Sequence, residues 1–137
     1  MVAFLSAEWL RALDAQARQV EPPAALEPGQ RVALGQEVHD VPGVAGGVVR
    51  YQLVVDDTGI RVDPDPADVP QLTFVCDYAS AVALARGDTN AQAALMAGRL
   101  RLRGDVERFA GARDVLLALG DCFARVRAST TFDTFPA

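Results

Sequence analysis

Four arginines fall within ten residues of this sequence: Arg99, Arg101, Arg103 and Arg108 in "RLRLRGDVER". Guanidinium groups at that density could grip phosphate, hold a substrate carboxylate, or form the water-facing side of an element whose other side is apolar. Phosphate of a nucleic acid is the poorest fit. The chain carries 18 acidic residues against 13 basic ones, a formal charge of -5, so its field repels a polyanion. The arginines are also not interleaved with the aromatics that stack bases. What does alternate with them is leucine. In a pleated strand Arg99, Arg101 and Arg103 go to one face and Leu100 and Leu102 to the other, and on that reading the arginines need no ligand.

The other reactive side chains are scattered. His39, in "EVHDVPG", is the chain's single imidazole, and its place at a strand end reads as a solvated turn residue. Carboxylates gather in "DDTG" and "DPDPAD", where Asp, Gly and Pro are ordinary turn chemistry. The prolines and the missing bidentate glutamate do not fit a calcium loop. "VPGVAGG" is rich in glycine but joins two strand-like runs and opens no helix, so it is no phosphate loop. Cys76 and Cys122 form no C-x-x-C pair, and reduced, partly buried thiols are the expectation, with a disulfide as the minority case. No catalytic residue, metal or cofactor is expected.

The elements that carry these residues show in the periodicity. Ser6 stands where a helix cap belongs, ahead of Trp9 or Leu10, Leu13, Ala17 and Val20 at helical spacing, and "EPPAALEPGQ" ends that helix. From Arg31 the period is two, with Val32, Leu34 and Val38 on one side. After a turn, Val49, Tyr51, Leu53 and Val55 repeat the pattern. "DDTG" predicts a tight hairpin into "IRVD", and "QLTFVCD" predicts a fourth strand with Leu72, Phe74 and Cys76 on one face. Asp77 caps a helix ending at Gly87. Thr89 and Gln92 read as the capping box of a second short helix, and "RLRLR" supplies the fifth strand. Asp105 then caps a long closing helix with Val106, Phe109, Leu116, Leu119, Phe123 and Val126 on one stripe.

This order predicts an α+β fold: a five-stranded, mostly antiparallel sheet with helices packed on one face and the other face left to solvent. At 137 residues, 50% hydrophobic, the chain has the size and apolar content of one domain. Residues 1–30 would form the first helix and connector, 31–104 the sheet with two inserted helices, 105–127 the closing helix and 128–137 a tail. The start "MVAFLSAEWLRALDAQARQ" has no signal-peptide pattern and no apolar run approaches ~20 residues, so a cytoplasmic protein is expected.

The order of elements, together with "ARGDTNAQAALMAGRLRLRGD", resembles the sterol carrier protein type-two, or sterol-binding, domain family. The likeness also takes in "YQLVVDDTGIRV" and "LTFVCDYASAVAL". It implies a non-catalytic binder or carrier of a fatty acyl chain, sterol or similar lipid, held in an apolar tunnel between sheet and helices. The tunnel-facing residues it implies are Leu72 and Phe74 on the fourth strand and Val82, Leu95 and Met96 on the short helices. Leu100 and Leu102 on the fifth strand and Phe109, Leu116, Leu119 and Phe123 on the closing helix complete the set. Eukaryotic members of that family often end in a peroxisomal targeting tripeptide. This sequence ends "FPA", and its Phe132 and Phe135 either fold over the tunnel mouth or stay loose. Two other readings remain open on the residues alone: an interaction module of the same fold with a filled core, which would form a dimer or hetero-complex, and an accessory enzyme acting through His39 or Asp105. For the carrier, membrane contact would be transient at most, because a net charge of -5 gives no strong attraction to anionic lipid.

Overall fold

A computed structural model of the protein describes residues 2–21, 31–65, 69–104 and 113–132, the last segment with its side chains from residue 120 onward. In chain order the elements are β1 (Val2–Ala3), α1 (Ala7–Ala17), β2 (Arg31–His39), a short 3-10 turn (Ala45–Gly47), β3 (Val49–Asp56), β4 (Gly59–Asp63), β5 (Leu72–Asp77), α2 (Tyr78–Arg86), α3 (Ala91–Met96), β6 (Arg101–Gly104), α4 (Arg113–Arg127) and β7 (Thr130–Thr131). The fold is α+β. Its main sheet has five strands in the order β4-β3-β2-β5-β6, all antiparallel except the β2–β5 pair. β5 follows β4 in the chain but joins the meander at β2, on the far side of that strand from β3.

Local signals act as the sequence predicts at most element ends. Ser6 Oγ accepts from Trp9 N–H at 3.1 Å, and Asp77 Oδ1 accepts from Ser80 N–H at 2.8 Å. Gly87 ends α2 in the left-handed region at φ 82°. In the β3–β4 hairpin Asp56 Oδ1 accepts from both Thr58 N–H and Gly59 N–H, closing the turn. One cap differs. The side chain of Asn90, not Thr89, caps α3 by accepting from Ala93 N–H at 2.8 Å, and the helix runs Ala91–Met96.

Alternation assigns the sheet faces. Leu34 and Val38 of β2, Tyr51, Leu53 and Val55 of β3, Ile60 and Val62 of β4, and Leu72 and Phe74 of β5 are buried together with Trp9, Leu10, Leu13 and Ala17 of α1. α1 lies along β4, where Asp14 Oδ1 accepts from Val62 N–H at 2.8 Å. That bond occupies a donor on an edge strand that would otherwise be open to a second chain.

The outer face is not simply solvated, as the sequence reading had it. Glu37, Gln52, Val54 and Thr73 are buried there. Pro70 sits over Gly35 so closely that a Cβ on that glycine would lie 2.7 Å from Pro70 Cγ. Glu37 is covered by arginines: Arg50 Nε donates to Oε1 at 2.8 Å and Arg103 Nη2 at 3.2 Å, while His39 Nε2 lies 2.9 Å from Oε2. Arg103 therefore has a partner, one that alternation alone could not name.

The two shortest strands had no sequence signal. β1 and β7 pair in parallel, with Val2 N–H donating to Ser129 O at 2.8 Å and Phe4 N–H to Thr131 O at 3.0 Å. This small ribbon ties residues 2–4 to the end of α4 and sets Phe4 against Phe132, centroid to centroid 5.2 Å.

Candidate ligand cavity

Between the inner face of the sheet and helices α2 and α4 lies a cavity of about 400 Å³. Its floor is built by residues of one pleat: Gln36 and Val38 on β2, Tyr51 on β3, Phe74 and Cys76 on β5, with Leu100 just ahead of β6. The α2 wall is Ala81, Leu84 and Ala85, which share one side of a helix at this spacing, and their small side chains leave room where larger ones would fill it. α4 contributes Gly120, Asp121, Phe123 and Arg127, and the amino-terminal turn contributes Phe4. Of the lining residues Gly87, Asn90, Gly120 and Asp121 are exposed, so the cavity opens between the α2–α3 loop and α4.

Aromatic rings gather beside this space. Trp9 meets Phe4 edge-on at 4.8 Å and Tyr51 at 5.9 Å, and stacks on Phe123 at 6.0 Å. The Trp9 indole N–H is buried without an acceptor among the described residues. At the mouth, Arg127 Nε donates to Ala85 O at 2.8 Å, satisfying a carbonyl in the last turn of α2 and joining it to α4. Its guanidinium lies against Gly87, where a Cβ would come within 2.7 Å of it.

The residues implied by the family likeness divide three ways. Phe74, Leu100 and Phe123 line the cavity. Leu72 is buried in the core, and Leu95 and Leu102 are half-buried against it; Val82 is half-buried on α2, and these four do not line the space. Met96 departs furthest, at 84% exposed. α3 buries only Ala94, and a side chain two positions on along a helix points about 200° away, to solvent. Phe109 and the side chains of Leu116 and Leu119 lie outside the described residues, as do Asp105 and Phe135. Gln36, Val38, Tyr51, Ala81, Leu84, Ala85 and Arg127 were not singled out from sequence as lining residues. The alternation of β2 and β3 and the Ala81, Leu84, Ala85 spacing contained that signal, but periodicity does not separate a cavity wall from packed core.

Among the described residues, those that line the cavity from the sheet side carry no charged side chain. Burial pushes the Cys76 thiol up to about 11, helped by the neighbouring Asp77 carboxylate, and burial likewise pushes Cys122 up to about 11. Both cysteines are unpaired, and at neutral pH both are thiols, not nucleophilic thiolates. Burial also raises the Tyr51 phenol far above its ordinary range. His39 stands on the outer face with Glu37, across the sheet from the cavity. Among the described residues no cluster of histidine, cysteine and carboxylate groups is arranged to hold a metal, and no helix is long and apolar enough to cross a membrane.

A second, more polar recess lies at the ends of β2 and β5, lined by His39, Asp40, Asp77, Ser80, Arg99 and Arg101 among others. Its Asp77 carboxylate is held below its ordinary value first by the N-cap bonds to Ser80 and then by Arg99.

Comparison with known proteins places this arrangement. The family model of the SCP-2 sterol transfer family matches residues 15–116. A crystal structure of sterol carrier protein 2 superposes with a TM-score of 0.69 at 18% identity, covering 88% of this chain and 96% of that one. A Thermus thermophilus protein described as possibly a sterol carrier protein gives a TM-score of 0.64 at 15% identity, covering 98% of this chain and 94% of its own. The palmitated SCP2L2 protein of Aedes aegypti gives 0.56 at 21% identity over 81% of this chain and 94% of its own. At these identities the structural likeness is one of fold. No curated protein sequence matches the chain.

Proposed function

The chain belongs to the SCP-2 sterol transfer family, and from that membership and the cavity we propose that it binds and carries one hydrophobic small molecule, without catalysis, between its sheet and helices. The observation that carries this reading is the open space of about 400 Å³ walled by Val38, Phe74, Leu84, Leu100 and Phe123. That volume falls within the ~300–1,000 Å³ common to small-molecule sites. A dry void of ~300 Å³ already costs roughly 7 kcal/mol, a large part of a domain's ~5–15 kcal/mol, so such a space is held open by an occupant or by water at its mouth.

An extended acyl chain suits the walls, and the palmitated state of the Aedes aegypti protein of the same fold supports that ligand class. About 12 buried methylenes contribute roughly 10 kcal/mol, and association costs of at least ~4 kcal/mol leave about 6 kcal/mol or less of net affinity from the chain alone. The protonated thiols and the placement of His39 on the far face support a binder over an enzyme. Titration with a fluorescent long-chain fatty acid tests the proposal: saturable one-to-one binding is expected, and absence of saturable binding refutes it.

A further inference from the structure

Among the described residues, two polar side chains on the cavity floor are left without hydrogen-bond partners. Tyr51 is 3% exposed and lines the cavity; among the described residues its hydroxyl makes no hydrogen bond, and it is not fully enclosed by protein either. Gln36 stands directly opposite Tyr51 in the β2–β3 register, on the same face, and its carboxamide is likewise without a described partner. Side chains directly opposite in an antiparallel pair have Cβ atoms about 5 Å apart, so amide and phenol form one polar spot on a floor otherwise made by Val38, Phe74, Cys76 and Leu100.

A hydroxyl that reaches the cavity without a partner among the described residues takes its hydrogen bond from whatever fills that space. A group on the ligand can supply it. The spot holds no charge: the phenol is kept neutral by burial, and Arg127, the cation that lines the cavity, has its Nε committed to Ala85 O at the mouth. A carboxylate therefore has no counter-ion at the floor, whereas a neutral oxygen can accept from the phenol or the amide and, if it is a hydroxyl, donate to the amide oxygen.

We propose that the cavity is built for an apolar molecule bearing a neutral oxygen, a hydroxyl or a carbonyl, within its apolar body, and that Tyr51 and Gln36 bind that oxygen. This deepens the carrier reading and rests on it. The test uses palmitic acid and mono-keto palmitic acids with the ketone at successive carbons, each displacing a fluorescent fatty acid from wild type, Tyr51→Phe and Gln36→Leu. At one ketone position wild type binds about tenfold more tightly than it binds palmitic acid, and Tyr51→Phe removes that advantage, read as the ratio of ketone to palmitic acid affinity within the same variant. Gln36→Leu reduces the advantage. Tyr51→Phe also keeps or raises the melting temperature, because the hydroxyl it removes has no partner to lose. If palmitic acid binds but no ketone position is preferred, or the preference survives Tyr51→Phe, this proposal is overturned and the carrier reading stands. If neither palmitic acid nor any ketone displaces the probe, the carrier reading itself fails.

Discussion

Glu37 shows what a single buried carboxylate does in this protein. Hydrogen bonds from His39 and Arg103, with Arg50 behind them, hold its pKa at about 2 against an ordinary 4.5. A carboxylate with a depressed folded pKa stabilises the fold above its unfolded pKa, and that contribution is lost as pH falls through the folded one. Stability is therefore expected to drop between about pH 4.5 and about 2, and Glu37→Gln should flatten that limb in chemical denaturation curves taken across the range. Near neutral pH the same substitution should cost about 1–2 kcal/mol, at the low end for charged hydrogen bonds. The reason is solvent screening, since the Arg50 and Arg103 side chains are 64% and 62% exposed. Cys76 gives a second expectation at this scale. Because its protonated thiol lines the cavity while Cys122 is fully enclosed, a thiol reagent should modify Cys76 first and slowly, and a bound fatty acid should suppress the reaction. Equal labelling with and without ligand would contradict the placement. The sequence made the alternation of Arg101, Leu102 and Arg103 legible. It did not make legible that Arg103 reaches Glu37, 66 positions away, because no local pattern encodes a contact across strands.

Elements were readable where their ends are set by neighbours in sequence. Ser6, Asp77, Gly87 and the Asp56–Gly59 hairpin each act within four residues, and each does what its residue type predicts. The ribbon of β1 and β7 was invisible, since two residues carry no period and the pairing joins opposite ends of the chain. Gly104 closes β6 at φ 118°, and a Cβ there would collide with the carbonyl oxygen of Gln71. Gly104→Ala should accordingly lose about 1–3 kcal/mol of stability in denaturant titration; a neutral result would mean the strand end relaxes freely. Arg127 links α4 to α2 beside the cavity opening, so Arg127→Ala should loosen that join and speed ligand release several-fold in stopped-flow dissociation, with a smaller change in association.

At the scale of the whole molecule, the sheet, its helices and the inner face they bury followed from periodicity, whereas the covered outer face and the hollow did not. A cavity is a shortage of side-chain volume, and residues such as Ala81 and Ala85 look in sequence like any helix interior. Family likeness supplied that expectation instead, and of the implied residues that the structure describes, Phe74, Leu100 and Phe123 lie on the cavity wall. Filling the space should separate binding from folding. Ala81→Phe projects a ring into the cavity from α2 and should raise stability by about 1 kcal/mol while abolishing uptake of a fluorescent fatty acid. The most direct measurement is native mass spectrometry of the purified protein, followed by organic extraction and identification of what is released. The expected result is an excess mass of one lipid-sized molecule that disappears on denaturation and rebinds from added lipid. The bare chain mass, unchanged after incubation with lipid, would contradict a carrier.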